Sequence, residues 1–213
     1  MRPILLLPAL ALAAVSLGQV KLKVMANSAR IGTLTVSQKP LPDGGKSVEF
    51  LYALSNSGVD VTVRQTTVWD KDGKQIRSSR ETTSKSSHST RVVTYSGQIA
   101  NLVIIGEGAR KAKSITLAQS QNRADASQFW FQGVTPEVGA KVEYWSFNLA
   151  DAEWQLATTT YEGPTEFKVG SSKVPGHKIK TVVGDVVADT ILDDKGNLLY
   201  LKSNGLTLER LPG

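Results

Sequence analysis

The amino-acid sequence predicts an all-β fold: a strongly curved antiparallel sheet of meander topology, forming a half-barrel or open barrel, with one or two short helices at most. Turn signals recur, often about 8–14 residues apart, as they do in all-β domains. The segments between them are rich in Val, Thr, Ile and aromatic residues. No helical segments separate these runs, which excludes a doubly wound parallel fold.

The turn signals follow one another along the chain, with alternating apolar and polar residues between them. They are PDGG at 42–45, SNSG at 55–58, DKDG at 70–73, GEG at 106–108, EGP at 162–164, VGSS at 169–172, DDKG at 193–196 and SNG at 203–205. One face of an early strand carries Val48, Phe50, Tyr52 and Leu54, and one face of the next carries Val59, Val61 and Val63. Each of these strands therefore has one wet face.

Two segments of the first half depart from simple alternation. Val63 and Val68 cannot share a face of a regular strand, so we expect a β-bulge between Arg64 and Thr66. The stretch 81–91 is rich in Ser and Thr and almost free of apolar residues. It fits two wet strand ends and their turn, with a disordered linker as the alternative.

Ile99–Ile105 is apolar on both faces apart from Asn101, which favours a central strand covered on both sides. The only helix that the sequence suggests is short and lies near Gln121–Phe131.

Two turns share the pattern Asp-x-x-Gly, at 70–73 and at 193–196. This spacing matches a type I turn with Asp at its first position and Gly at its fourth. A calcium loop of the EF-hand type would need Gly at loop position 6 and an oxygen ligand at position 5, where Lys74 stands if the loop begins at Asp70. We therefore expect hairpin corners, and no metal site.

The N-terminal segment has the pattern of a secretory signal. Its apolar run from Ile4 to Leu17 contains a proline and is too short for a membrane span of about 20 residues. Ser16 and Gly18 fit a cleavage site, so we assign 1–18 to a signal peptide, with an uncleaved anchor as the alternative. The expected protein is periplasmic or secreted, without a transmembrane span in its mature chain. No cysteine is present to carry a lipoprotein anchor.

Composition narrows the remaining classes. The absence of cysteine excludes thiolate nucleophiles, iron–sulfur clusters and Cys-type zinc sites, so the core alone must hold the fold. The formal charge of +6 is spread along the chain, which argues against a nucleic-acid partner but permits weak attraction to anionic lipids. We expect one antiparallel β domain over 19–213, with possible sub-lobes 19–120 and 132–213, and leave its oligomeric state open.

No catalytic constellation is visible in the sequence. The two histidines, His88 and His177, occur in neither an H-x-x-x-H nor an H-x-H pattern, and no G-x-S-x-G elbow presents a serine. The glycines at 106 and 108 precede a predicted strand, where a phosphate loop would require a helix. These observations predict a protein that is not an enzyme and holds no cofactor.

The densest chemical feature is a cluster of aromatic residues, which holds 7 of the 14 Phe, Trp and Tyr residues: Phe129, Trp130, Phe131, Tyr144, Trp145, Phe147 and Trp154. Large aromatic side chains usually anchor a core, and they can also line a ligand groove. The candidate ligand-binding residues are Phe129, Trp130, Tyr144, Trp145, Phe147 and Trp154.

From residue 135 onward the chain resembles an uncharacterised group of bacterial envelope domains. The resemblance rests on a P-x-x-G-x-x-x-x-Y opening, a K-V-P hairpin, a D-D-x-G turn and a final G-x-T-L-E-R. The matching residues are Pro136, Gly139, Tyr144, Lys173, Val174, Pro175, Lys178, Asp193, Gly196, Leu198, Gly205 and Glu209. The first half matches only in strand pattern and at 29–32. The resemblance implies a sheet similar to the half-barrel of lipoprotein-carrier proteins, and no catalytic residues.

Together these observations predict an exported, non-enzymatic envelope protein. Its expected role is to bind an apolar or amphipathic ligand, such as a lipid or lipoprotein, or an envelope protein, on the concave face of the sheet. The alternative is an assembly protein that joins its sheet edge to a partner strand. A hydrolase on the same scaffold is the third possibility.

Overall fold

The computed structural model describes residues 19–56, 58–106, 108–123 and 136–212, and the fold within them is entirely β. The expected signal peptide, and the expected helix from residue 124 onward, lie outside these residues. The strands are β1 (Gln19–Ala26), β2 (Ala29–Pro40), β3 (Lys46–Asn56), β4 (Val59–Trp69), β5 (Gln75–Ser84), β6 (His88–Ser96), β7 (Ile99–Gly106), β8 (Ala109–Thr116), β9 (Lys141–Asn148), β10 (Glu153–Val169), β11 (Ser172–Val183), β12 (Val186–Leu192), β13 (Leu198–Ser203) and β14 (Leu206–Arg210).

All fourteen strands belong to one antiparallel sheet, in the order β8-β7-β6-β5-β4-β3-β2-β1-β14-β13-β12-β11-β10-β9. Two meanders, β1–β8 and β9–β14, are therefore joined where the first strand pairs with the last. The strands at the two ends of the sheet, β8 and β9, do not pair with each other within the described residues. The predicted open, curved meander is confirmed.

Alternation of side chains gives the sheet one apolar face, which we call the inner face. Along β1, Val20, Leu22 and Val24 are buried, whereas Lys21 and Lys23 between them are exposed and half-buried, respectively. The same alternation recurs on neighbouring strands and builds one large cluster, the apolar wall. Its members include Leu34, Phe50, Tyr52 and Val63 on β2–β4 and Tyr161, Ile179, Leu201 and Leu208 on β10–β14. Both arms of the sheet therefore meet across a shared core.

The sheet overlaps itself instead of closing edge to edge. Tyr161 belongs to the inner face, and the regular pairing of β9 with β10 places Trp154 and Phe147 on the opposite, outer face. These two side chains nevertheless pack in one cluster with Val93, Leu102 and their neighbours. Since Val93 and Leu102 lie on the inner face of β6–β7, the β9–β10 hairpin is tucked inside the curve of β6–β8. We call this contact the overlap.

The expected bulge between Arg64 and Thr66 is wrong. Pairing of β3 with β4 runs without interruption from Lys46–Trp69 to Asn56–Val59. The alternation continues because Gln65 and Thr67 carry polar side chains on the inner face, and Val68 lies on the outer one. The irregularity of β4 lies in its pairing with β5, between Val68 and Trp69.

Two further expectations about strands also need correction. Ile99–Ile105 is β7, next to the end of the sheet, and only its inner face is buried; Ile99 and Ile105 are 38% and 48% exposed. It is therefore not a central strand covered on both sides. The EGP stretch is not a turn, because it lies within the long strand β10 at a bulge between Tyr161 and Gly163.

The turn chemistry of the Asp-x-x-Gly corners is confirmed. In each, the Gly N–H donates to the Asp carbonyl, and Gly73 and Gly196 have φ angles of 78° and 79°. The Asp70 carboxylate accepts from two backbone N–H groups of its own turn, and so does that of Asp193. The Ser/Thr-rich stretch 81–91 is the β5–β6 hairpin, as expected, and not a linker.

Candidate ligand-binding surface

The overlap is held by three aromatic rings. Trp154 lies 5.2 Å from Phe147 and 5.9 Å from Tyr95 between ring centroids, and Phe147 lies 6.5 Å from Tyr95. The indole N–H of Trp154 donates to the carbonyl of Ile115 on β8, at 3.1 Å. The rings thus join β9–β10 to β6–β8 through packing and one directional bond. The two pairs that involve Phe147 have the edge-to-face geometry that aromatic pairs favour.

Arg123 also stabilises the overlap. Its guanidinium donates to the carbonyls of Gly97 and Gln75, at 2.8 and 3.0 Å, and lies 4.9 Å from the centroid of the Tyr95 ring. A guanidinium in this position attracts the negative face of the ring. Beside it, the backbone N–H of Trp145 donates to the carbonyl of Asn122 at 2.7 Å.

The structure divides the six predicted ligand-binding residues. It brings Phe147 and Trp154 together in the overlap. Tyr144 lies on the other face of β9, buried with Ala157 and Val183, and its hydroxyl is 3.3 Å from that of Thr159. Trp145 is half-buried, and its cross-strand neighbour Leu156 is 42% exposed. Phe129 and Trp130 lie outside the described residues.

One row of side chains on the inner face becomes more polar beyond β3. One cross-strand row can be followed through consecutive pairings over eight strands: Val20, Val36, Phe50, Gln65, Arg80, Arg91, Ile104 and Lys111. Its first three members are apolar and buried, whereas its last five include three cations. We call the part from Gln65 to Lys111 the cationic row. Neighbouring strands are about 4.8 Å apart, so its cations line one short path across the sheet.

Arg91 is engaged in closing the overlap. One terminal nitrogen of its guanidinium, Nη1, donates to the carbonyl of Leu149 at 2.7 Å and also to that of Ala150, both in the β9–β10 turn. The Arg91 side chain therefore fixes the tip of the tucked hairpin above the inner face. Its Nε and Nη2 groups carry further donors, since a guanidinium presents five N–H groups.

Arg80 faces Arg91 directly across β5 and β6. Like charges in that position repel each other and destabilise a sheet. Burial lowers the pKa of Arg80, and the nearby charge of Arg91 lowers it further, while Tyr52 and Asp151 act in the opposite direction. Among the residues that the structure describes, Arg80 forms no ion pair and no side-chain hydrogen bond. Asp151 instead accepts from the side chain of Asn148 at 2.7 Å.

One end of the sheet, which we call the upper end, has apolar side chains on the inner face of β4. It carries the β1–β2, β3–β4, β5–β6 and β9–β10 turns. Val59 and Val61 continue the inner face of Val63 towards this end, where Val61 is partly buried and Val59 is 54% exposed. The inner face thus carries two arginines near the middle of its strands, and the apolar Val61 and Val59 lie further towards the upper end on β4.

The two histidines occupy structural positions. Nδ1 of His177 is 2.9 Å from the hydroxyl of Tyr161, and its Nε2 is 3.1 Å from a carboxylate oxygen of Asp194. This chain ties β10 and β11 to the β12–β13 turn. His88 lies exposed at the β5–β6 turn, with Nδ1 3.0 Å from the hydroxyl of Thr83. In the described part of the chain, no group of three metal-ligating side chains occurs.

Sequence reasoning missed Arg80, Arg91 and Tyr95. A signal for the arginines existed, since Arg91 precedes Val93 by two residues and so shares its face. Their position opposite each other depends on the register of β5 with β6, which no local pattern shows.

Comparison with known structures identifies the class of fold. The chain is similar to a crystal structure of a β-barrel-like protein of the domain of unknown function DUF1849 from Brucella abortus, with a TM-score of 0.67 and 8% identity, covering 91% of this chain and 94% of that one. At this identity the likeness shows the fold alone. It supports the expected relation to β proteins of unknown function.

A DUF1089 family protein from Pseudomonas aeruginosa has a TM-score of 0.42 at 10% identity, covering 77% of this chain and 87% of that one, too low a likeness to support an argument. No protein-family profile matches the chain, and no curated protein matches it. No helix among the described residues is long and apolar enough to cross a membrane.

Proposed function

We propose that this chain is an exported, non-enzymatic envelope protein that binds an amphipathic ligand on the inner face of its sheet. One observation carries the proposal: the inner face changes from apolar to cationic along a single cross-strand row. Towards the upper end of that face, beyond one intervening row of residues, lie the partly buried Val61 and the exposed Val59. Ligand sites commonly combine an apolar lining with a few polar groups that fix orientation.

The aromatic residues have a different role in this proposal. Phe147 and Trp154 hold the overlap, so they support the surface and do not contact the ligand. Trp145 is half-buried beside the exposed Leu156, outside the aromatic cluster of the overlap. That the protein catalyses no reaction is part of the proposal, in which the contacts of His177 with Tyr161 and Asp194 hold β10 and β11 to the β12–β13 turn.

The proposal is tested with a matched pair of charge substitutions at exposed valines. Val59 lies on the inner face at 54% exposure, and Val187 lies on the outer face of β12 at 41% exposure. Displacement of an environment-sensitive dye by single-chain lipids measures binding. We expect Val59→Asp to weaken binding and Val187→Asp to leave it unchanged. Equal effects of the two substitutions would contradict a ligand on the inner face.

Export is tested separately. N-terminal sequencing of the protein recovered from the cell envelope should return Gln19 as the first residue, give or take a few positions. Recovery of a chain that begins at Met1 would revive the uncleaved anchor.

A partner at the sheet edge is the second candidate, and strand β8 is the observation that favours it. β8 ends the sheet, and all its residues except Ile115 are exposed. A photo-reactive side chain at Lys113 should then cross-link a defined envelope protein, whereas one at the exposed Lys21 within the sheet should not. Identical cross-linking at both positions would remove this candidate.

A further inference from the structure

The cationic row is more than a lining of the inner face. We infer that Arg80 and Arg91 form a binding site for the anionic head group, a carboxylate or a phosphate monoester, of a single-chain amphiphile whose apolar part lies along Val61 and Val59. This inference rests on the proposed function and specifies which end of the ligand the protein recognises.

The arrangement of the two arginines destabilises the sheet when no ligand is bound. Two arginines directly opposite each other on the partly buried inner face repel each other, and partial burial removes water that would screen them. Arg91 offsets this cost in part by donating to the Leu149 and Ala150 carbonyls. The Arg80 side chain forms no hydrogen bond or ion pair within the described residues, and only the longer-range attraction of Asp151 and Tyr52 offsets the cost.

Both arginines keep guanidinium N–H groups that can donate to a ligand. Arg80 retains its full fork of N–H groups, and Arg91 retains those on Nε and Nη2. Two guanidinium groups on adjacent strands, about 5 Å apart at the backbone, can converge on one carboxylate or phosphate. Arginine suits these two anions in particular, because its planar fork matches their oxygen spacing. An anion between the two groups would turn their repulsion into two attractions.

The surroundings of the arginines set the direction of the apolar chain of the ligand. Towards the upper end, the row next to Arg80 and Arg91 on the inner face consists of Val63, Thr82 and Ser89, and Val61 and Val59 follow on β4. A chain that leaves the head group in this direction passes the half-buried Thr82 and Ser89, beside the buried Val63, and then reaches the partly buried Val61 and the exposed Val59. In the opposite direction it would meet the buried Val93 and Leu102 of the overlap. The apolar part is therefore directed towards the upper end.

The test compares amphiphiles that share one chain and differ in head group. Dodecyl phosphate, dodecanoate and the neutral dodecyl maltoside are titrated below their micelle concentrations against the protein by calorimetry. We expect both anionic compounds, or one of them, to bind about tenfold more tightly than the maltoside, as suits charge-assisted hydrogen bonds. Preference between the first two tells a phosphate head group from a carboxylate.

Arg80→Gln is the diagnostic variant, and Arg77→Gln is its control. Arg77 lies on the same strand and carries the same charge, but it is exposed on the outer face. Arg80→Gln should weaken binding of the anionic amphiphile about tenfold and leave the maltoside unaffected, whereas Arg77→Gln should change neither. The melting temperature of Arg80→Gln without ligand should stay the same or rise, because the substitution relieves repulsion by Arg91.

Three outcomes would overturn the head-group site. They are equal binding of anionic and neutral amphiphiles by the unaltered protein, equal losses in the two arginine variants, and a strong drop in the melting temperature of ligand-free Arg80→Gln, which would show a structural role. The first of these leaves the proposed function intact, because the apolar chain still binds. Failure of all three amphiphiles to bind would contradict the proposed function as well.

Discussion

The apolar wall and the overlap are both buried contacts between parts of one sheet, yet they are built by different means. The wall is made mainly of aliphatic side chains that alternate along neighbouring strands, such as Val20, Leu22 and Val24 on β1, with a few aromatic rings among them. The overlap joins opposite faces of distant strands through Tyr95, Phe147 and Trp154 and through two arginines, Arg91 and Arg123. A repeated pattern is sufficient for the first, whereas the second depends on individual residues.

The difference also affects the chemistry available to each region. The wall has little exposed surface and few polar groups, so it contributes stability. The overlap covers only part of the inner face of β5–β8 and leaves the cationic row beside the hairpin tip. A sheet that overlaps itself therefore keeps a polar, accessible strip that a closed barrel of the same strands would fill.

The largest expected effect comes from breaking the overlap. Phe147→Ala should lower the free energy of unfolding by about 3–5 kcal/mol, because a buried aromatic side chain leaves a cavity between two strand pairs. Chemical denaturation measures the loss, and hydrogen exchange locates it. We expect faster exchange in β6–β7 and β9 than in β1–β3, whose wall remains intact.

A milder substitution sharpens the same point. Trp154→Phe keeps an aromatic ring in the overlap but removes the indole donor to Ile115, and should cost about 1 kcal/mol. Uniform exchange in all strands after either substitution would contradict the distinction between the two regions.

Alkaline pH should lower the stability that the apolar wall contributes. Burial raises the pKa of Tyr52 to about 12, from 10.0. Because the folded protein holds this proton more tightly than the unfolded chain, the stabilisation is fully present below pH 10 and is lost as the pH rises through 12. The loss should amount to about 2–3 kcal/mol.

Urea denaturation between pH 9 and 12 measures this loss, with Tyr52→Phe as the control. The variant should show a shallower decline, since the hydroxyl that titrates is absent. Parallel pH profiles for the two proteins would assign the decline to other tyrosines, such as Tyr144, whose pKa burial also raises.

An effect as small as that of Trp154→Phe is expected at the turns, which are found in both regions. Gly73→Ala and Gly196→Ala should each destabilise by about 1 kcal/mol, since both positions have positive φ. Thermal melting measures the change, and Lys71→Ala in the first turn provides a control at an exposed position. Calcium should leave the melting temperature unaltered. A strong rise with micromolar calcium, reversed by a chelator, would contradict the assignment of these turns as hairpin corners.

Local patterns predicted some parts of the site and missed others for physical reasons. The clustering of Phe147 and Trp154 in sequence indicated an aromatic contact, but it did not show that their partner is Tyr95, some fifty positions earlier. Gln65 and Thr67 were mistaken for a break in register because polar residues on an inner face imitate a slip. The apolar character of Ile99–Ile105 suggested a central strand, whereas the position of a strand within a sheet depends on long-range pairing.

The amino-acid sequence by itself determined the class of fold of this protein and its Asp-x-x-Gly turns. Alternation of apolar residues selects strands with one buried face, and Asp-x-x-Gly spacing selects its corners, because both are set by neighbours within a few positions. The tertiary structure alone decided that β1 pairs with β14, that β9–β10 lies inside the curve of β6–β8, and that Arg80 faces Arg91. These contacts join residues far apart in the chain, and their free energy depends on sheet curvature and strand register, which no short segment specifies.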